Sequence, residues 1–195
     1  MNIYDKTTKL CIMGMLSALS IVLVFLVRIP ILPEAPYLEY DPADIPILIT
    51  SYLYGPISGL AVTLIVCILQ GITFSSGSGI IGIIMHFFAT GAMCMTVGLI
   101  AEKSKFNFRA IAAGIAGGIM MILIMVPLNM IFTPLYTGMS TKDIAKLILP
   151  VFIPFNGIKS GINVTATLIV YAAILPVLNI RKKKESVTDK EIETE

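Results

Sequence analysis

The sequence predicts an all-α integral membrane protein, a bundle of six transmembrane helices with both termini cytoplasmic. Three observations predict it. Hydrophobic residues make up 56% of the chain and charged residues only 13%, against about 25% charged in soluble domains. Apolar runs near the roughly 20 residues that a span requires recur along the chain. The charges collect at the ends and in the connections between these runs. One compact membrane domain over residues 1–195 is expected, because the polar ends are too short to fold alone.

Residues 10–27 form the first expected helix, too long for the apolar region of a signal peptide. Gly14 and Ala18 lie four apart in it, with Ser17 beside them. Small residues at that spacing admit a second helix closely, either from a partner or from the same chain. Residues 28–44 hold Pro30, Pro33, Pro36 and Pro42 together with Glu34, Glu39, Asp41 and Asp44. Proline fixes the backbone and removes donors, so a stiff, extended loop is expected here. It reads either as a solvated connection or as a lid over a cavity.

The next helices are expected at 45–54, 57–74 and 80–101, the first of them short and separated from the second by the turn at Gly55-Pro56. Ser75 to Gly79 reads as a flexible turn. A further helix at 110–132 contains the close-packing pair Gly114 and Gly118 and, near its far end, Asn129. Residues 133–150 read as a loop with a short interfacial helix at 141–149. The last helix is expected at 154–178. It is followed by the basic cluster Arg181 to Lys184 and a disordered tail at 185–195.

The positive charges set the orientation. With the termini inside, Lys6, Lys9, Lys103, Lys105, Arg109 and the Arg181 to Lys184 cluster flank the inner face, against Arg28, Lys142 and Lys146 outside. The proline-rich loop is then outside. Asn156, Lys159 and Asn163 are spaced i, i+3, i+7 and share one helix face in the outer half. An unpaired ammonium in hydrocarbon costs about 3 kcal/mol or more, so Lys159 either snorkels to the interface or faces a ligand site. Convergence with Asn129 and the outer loop favours the site.

Other chemistry is thin. No GxxxxGK[ST] pattern provides for nucleotide hydrolysis. No HExxH occurs and His86 is the single histidine, so no metal site is expected. Ser76 or Ser78 with His86 is the only candidate catalytic pair, and no GxSxG elbow supports it. Neither filter repeats nor internal repeats suggest a channel or an autonomous carrier. Cys11, Cys67 and Cys94 sit singly in apolar runs and read as core residues. No catalytic residue, metal or nucleic-acid partner is expected.

Three stretches carry a family resemblance: Leu38-Glu39-Tyr40-Asp41-Pro42-Ala43-Asp44-Ile45-Pro46 leading into Tyr54-Gly55-Pro56-Ile57-Ser58-Gly59; Pro127-Leu128-Asn129 before Pro134-Leu135-Tyr136; and Ile153 to Asn163. Over residues 10–180 the chain resembles the RibU family, the riboflavin-specific substrate-binding (S) components of energy-coupling factor (ECF) transporters. The resemblance implies a non-enzymatic, multi-pass subunit of a prokaryotic plasma membrane that captures a vitamin at the outer face. It implies no cofactor, with riboflavin or its phosphate FMN as the transported ligand. It implies a transmembrane coupling protein and two ABC-type ATPase subunits as partners within the lipid bilayer. It matches Asn129, Asn156, Lys159 and Asn163 to ligand-contacting positions, and Leu38, Glu39 and Tyr40 to the outer loop. Gly14 and Ala18 match the first-helix docking motif, with glycine in place of its first alanine. The alternatives are a substrate component for another vitamin or precursor and, from a different class, an intramembrane enzyme.

Overall fold

The computed structural model describes residues 6–33, 35, 38–73 and 79–192. Its elements in order are α1 (Lys6–Leu26), a two-residue antiparallel pair β1 (Ile29–Pro30) and β2 (Glu39–Tyr40), α2 (Asp44–Tyr54), α3 (Pro56–Thr73), α4 (Gly79–Ile100), α5 (Phe108–Thr137), α6 (Thr141–Leu147), a π-helical segment (Ile148–Phe152) and α7 (Ile153–Ile192). Six of these, α1 to α5 and α7, make the bundle. Five stretches are long and apolar enough to cross a membrane: Lys6–Leu26, Pro56–Thr73, Ile80–Ile100, Phe108–Thr137 and Thr141–Val177. Large apolar side chains such as Phe25, Ile72, Leu99 and Ile169 point outward along these helices, as lipid-facing surfaces require.

The short helix α2 is the centre of the bundle. Nearly all of its side chains are buried, and it packs against α1, α3, α4 and α7. Its 11 residues rise about 16 Å, roughly half the hydrocarbon thickness. The described residues between Ile29 and Ala43 form a strap leading into α2, with Ile29 opposite Tyr40 and Pro30 opposite Glu39. Ser20 on α1 donates to the Ala43 carbonyl at 3.0 Å and holds the strap's end. Beneath the strap, Ala35 and Leu38 pack with Ile144, Val151, Phe152 and Phe155 in a second apolar cluster.

At the other end of α2, Tyr52 stacks on Tyr171 with ring centroids 4.8 Å apart and donates to the Ala110 carbonyl at 2.8 Å. Glycine makes this packing possible. A Cβ on Gly114 would lie 2.9 Å from the Tyr52 hydroxyl and 2.8 Å from Val164. A Cβ on Gly98 would lie 2.4 Å from the backbone nitrogen of Pro56, where α4 crosses the Gly55-Pro56 turn.

The structure corrects several expected boundaries. α5 continues past residue 132 to Thr137, carrying Pro127 and Pro134 inside it. It starts on Asn107, whose side chain accepts from the Ala110 amide, and stops at Gly138, whose φ of 72° places it in the left-handed region. The expected loop at 133–150 is mostly helical. Ser140 caps α6, and the π segment carries the backbone through Pro150 into α7 without a break. A wider turn accommodates a residue that lacks an amide hydrogen. α7 runs to Ile192 where a disordered tail from 185 was expected. Lysine, arginine and glutamate are good helix formers, which sustains the backbone past the apolar run. Phe74 of the expected helix at 57–74, the Ser75 to Ser78 part of the expected turn, and Glu34, Pro36 and Tyr37 of the expected lid lie outside the described residues, as do residues 193–195.

Candidate ligand-binding site

The strap, α2, α4 and α7 meet at two carboxylates. Asp41 and Asp44 lie three residues apart, on the strap's last turn and at the first position of α2. Asp41 Oδ1 accepts from the Ala43 amide at 3.1 Å, which folds the chain into α2. Its Oδ2 lies 2.7 Å from Lys159 Nζ, with side chains only 16% and 10% exposed. An ammonium in a membrane helix is thereby paired rather than snorkelling.

Asp44 is fully buried and gathers three donors. Thr90 donates to Oδ1 at 2.8 Å, His86 Nε2 lies 3.2 Å from the same oxygen, and Asn163 Nδ2 donates to Oδ2 at 3.0 Å. Buried carboxylates are tolerable only with such partners. Asn163 also donates to the Asp41 carbonyl at 3.3 Å and accepts from the Tyr40 hydroxyl at 3.0 Å. Burial raises the pKa of the Tyr40 phenol, and neighbouring Asp41 adds to the shift; it therefore stays protonated as a donor. The amide of Asn163 is spent on holding the strap to α7.

Beside this knot lies a cavity of about 150 Å³, lined by Gly82, Met85, His86 and Ala89 of α4, Met121, Met125 and Tyr136 of α5, and Phe155, Asn156 and Lys159 of α7. Its walls are apolar and soft, with polar groups at a few points. Asn156 is 2% exposed. Its Nδ2 donates to the Phe152 carbonyl at 2.7 Å, while its Oδ1 is buried without a hydrogen-bond partner. A buried orphan acceptor costs about 1–3 kcal/mol, so this oxygen awaits a donor.

The sequence-expected residues divide. Asn156 and Lys159 line the cavity. Tyr40 and Asn163 do not line it but bond to each other, tying the strap to α7. Asn129 is satisfied within α5, donating to the Met125 carbonyl at 2.7 Å and accepting from Thr133 at 2.9 Å. Glu39 pairs with Arg28 across the strand pair, and Leu38 lies in the apolar cluster under the strap. Gly14 and Ala18 are exposed on α1, and a Cβ on Gly14 would meet nothing within 4 Å. The structure adds Asp41, Asp44, Thr90, His86 and the α4 and α5 cavity walls. The α4 wall carries a sequence signal, because Gly82, His86 and Ala89 recur at helical spacing. Ser76 and Ser78, the candidate partners of His86, lie outside the described residues. Among the described residues no cluster of His, Cys, Asp or Glu could hold a metal ion.

Comparison with known proteins places this architecture. The family described as the ECF transporter, substrate-specific component, matches residues 8–171. The chain is similar to the riboflavin transporter RibU of Streptococcus thermophilus, 29% identical over 89% of this chain and 85% of that one. It is similar to the riboflavin transporter FmnP of Bacillus subtilis, 30% identical over 82% and 87%. It is similar to RibU of Staphylococcus aureus, 34% identical over 85% and 88%. The solved structure of the S component of a bacterial ECF transporter superposes with a TM-score of 0.76 at 27% identity, covering 89% of this chain and 99% of that one. These relatives are transporters, not enzymes. The six-helix bundle and these matches together make this chain a member of the family of ECF transporter substrate-specific components, multi-pass proteins of the bacterial plasma membrane that work with a membrane-embedded energy-coupling module.

Proposed function

We propose that the chain is the riboflavin-capture subunit of its transporter, with the cavity beneath the strap as the vitamin site. The observation that carries this is the unpartnered Asn156 Oδ1 in a mostly apolar cavity, in a chain whose relatives are named riboflavin transporters. A flavin ring offers an apolar plane and an imide edge with an N–H donor, which suits a soft methionine-lined slot ending in an amide oxygen. At about 150 Å³ the cavity is smaller than the roughly 300–1,000 Å³ of pockets that enclose such ligands. The strap therefore opens to admit the vitamin and re-forms over it. Asn156 and Lys159 contact the ligand; Leu38, Glu39, Tyr40 and Asn163 belong to the closing element; Asn129 backs the α5 wall.

The positive-inside distribution supports cytoplasmic termini and an outward-facing strap. The exposed Gly14 and Ala18 strip supports docking of a transmembrane coupling protein, through which two ABC-type ATPases supply the work. Titration of the purified protein with riboflavin tests the reading. Saturable quenching of flavin fluorescence is expected, and its absence in protein that is folded and free of bound ligand would refute it.

A further inference from the structure

We infer that Asp41 is a specificity-determining residue: paired with Lys159 at the edge of the cavity, it makes the site accept an uncharged flavin and reject one whose ribityl chain ends in a phosphate. The inference rests on the riboflavin reading and names which form of that ligand the site takes. Sites that select phosphate present donors still free to receive it, typically arginine forks, a lysine or helix N-termini. Here the charge of the cavity lysine is already met by a carboxylate, with Asp41 Oδ2 2.7 Å from its Nζ and both side chains largely buried, although its remaining N–H groups can still serve neutral acceptors. Asp44, with no exposure, lies behind it, tied to the same Asn163 that binds the Asp41 carbonyl.

The titratable groups around this corner are Asp41 and Tyr40 of the strap, Asp44 of α2, His86 of α4 and Lys159 of α7. Two carboxylates face one lysine, and a protonated His86 at most balances them. A phosphate oxygen at hydrogen-bond distance from Lys159 Nζ would lie within about 6 Å of the Asp41 carboxylate. The phosphate carries nearly two negative charges at neutral pH. Like charges at that range in a water-poor site repel strongly. A hydroxyl chain meets no such repulsion, since each hydroxyl can donate to the carboxylate and accept from the ammonium.

The test is paired equilibrium titration of full-length protein with riboflavin and with its 5′-phosphate, for the wild type, Asp41→Asn, Asp41→Ser and Asp41→Glu. The readout is the ratio of the two dissociation constants. The wild type is expected to bind the phosphate at least about ten-fold more weakly than riboflavin. Asp41→Asn and Asp41→Ser should narrow that ratio at least about five-fold, and Asp41→Glu, which keeps the charge, should hold it. Equal affinity of the wild type for both flavins, or a ratio within two-fold of wild type in both neutral variants, would overturn the role of Asp41. So would loss of the discrimination in Asp41→Glu as well, or loss of riboflavin binding in both neutral variants. A wild type that binds neither flavin would instead refute the riboflavin reading itself.

Discussion

The Tyr40 hydroxyl donates to Oδ1 of Asn163 at 3.0 Å, joining the strap to the first third of α7 across more than a hundred residues of chain. The same amide holds Asp41 and Asp44 through its nitrogen. One side chain thus closes the strap, and the consequences of removing it are graded.

Tyr40→Phe deletes one hydrogen bond, worth about 1 kcal/mol, and should weaken riboflavin binding about five-fold. Asn163→Ala leaves Tyr40 without its acceptor and Asp44 with one donor fewer, so a loss of ten-fold or more is expected. Both variants should also make the strap more sensitive to protease in the presence of saturating riboflavin. Protease patterns identical to wild type would show that the strap closes by other means.

Lys159→Ala removes a cavity wall and strands the largely buried Asp41 carboxylate. Breaking a buried pair from one side destabilises by about 3–5 kcal/mol. The variant should lose riboflavin affinity at least ten-fold and melt well below wild type. Lys159→Ala combined with Asp41→Ala should recover much of the stability without the affinity. A double variant no more stable than the single one would argue against the ion pair as the cause.

Gly98→Ala places a Cβ against the backbone of Pro56, which cannot retreat as a flexible side chain can. Overpacking of this kind costs about 1–3 kcal/mol, so a clear fall in melting temperature in detergent is expected. Gly14→Ala, with open space around it, should leave the melting temperature unchanged. Equal effects at the two positions would contradict the packing described.

Ala18→Trp adds bulk to an exposed strip of α1 that touches no part of the cavity. Close helix packing in lipid depends on small residues. The variant should abolish riboflavin uptake by the assembled transporter while binding by the isolated protein stays within two-fold of wild type. Normal uptake would exclude the strip as a docking surface.

Much of the bundle was legible because apolar runs near 20 residues have one outcome in a membrane, and the i, i+3, i+7 spacing of Asn156, Lys159 and Asn163 puts all three on one helix face. That the first two reach the cavity while the third turns to the strap was not legible, because the difference is set by where Tyr40 and Asp44 arrive. Glu39 reads as a free outer acid until the strand pair brings Arg28 beside it. Asp41 and Asp44 read as loop charges because α2 is too short to look like a central helix. The loop expected at 133–150 hid a helix, since Pro134 and Pro150 signal breaks locally but are carried within helical turns.

Mass spectrometry of the small molecule extracted from protein purified out of riboflavin-containing cells tests the central claim most directly. The account predicts riboflavin in near-equimolar amount with the protein, and yellow colour lost on extraction. A different vitamin in that amount, with no flavin and no binding of added riboflavin by the emptied protein, would contradict it.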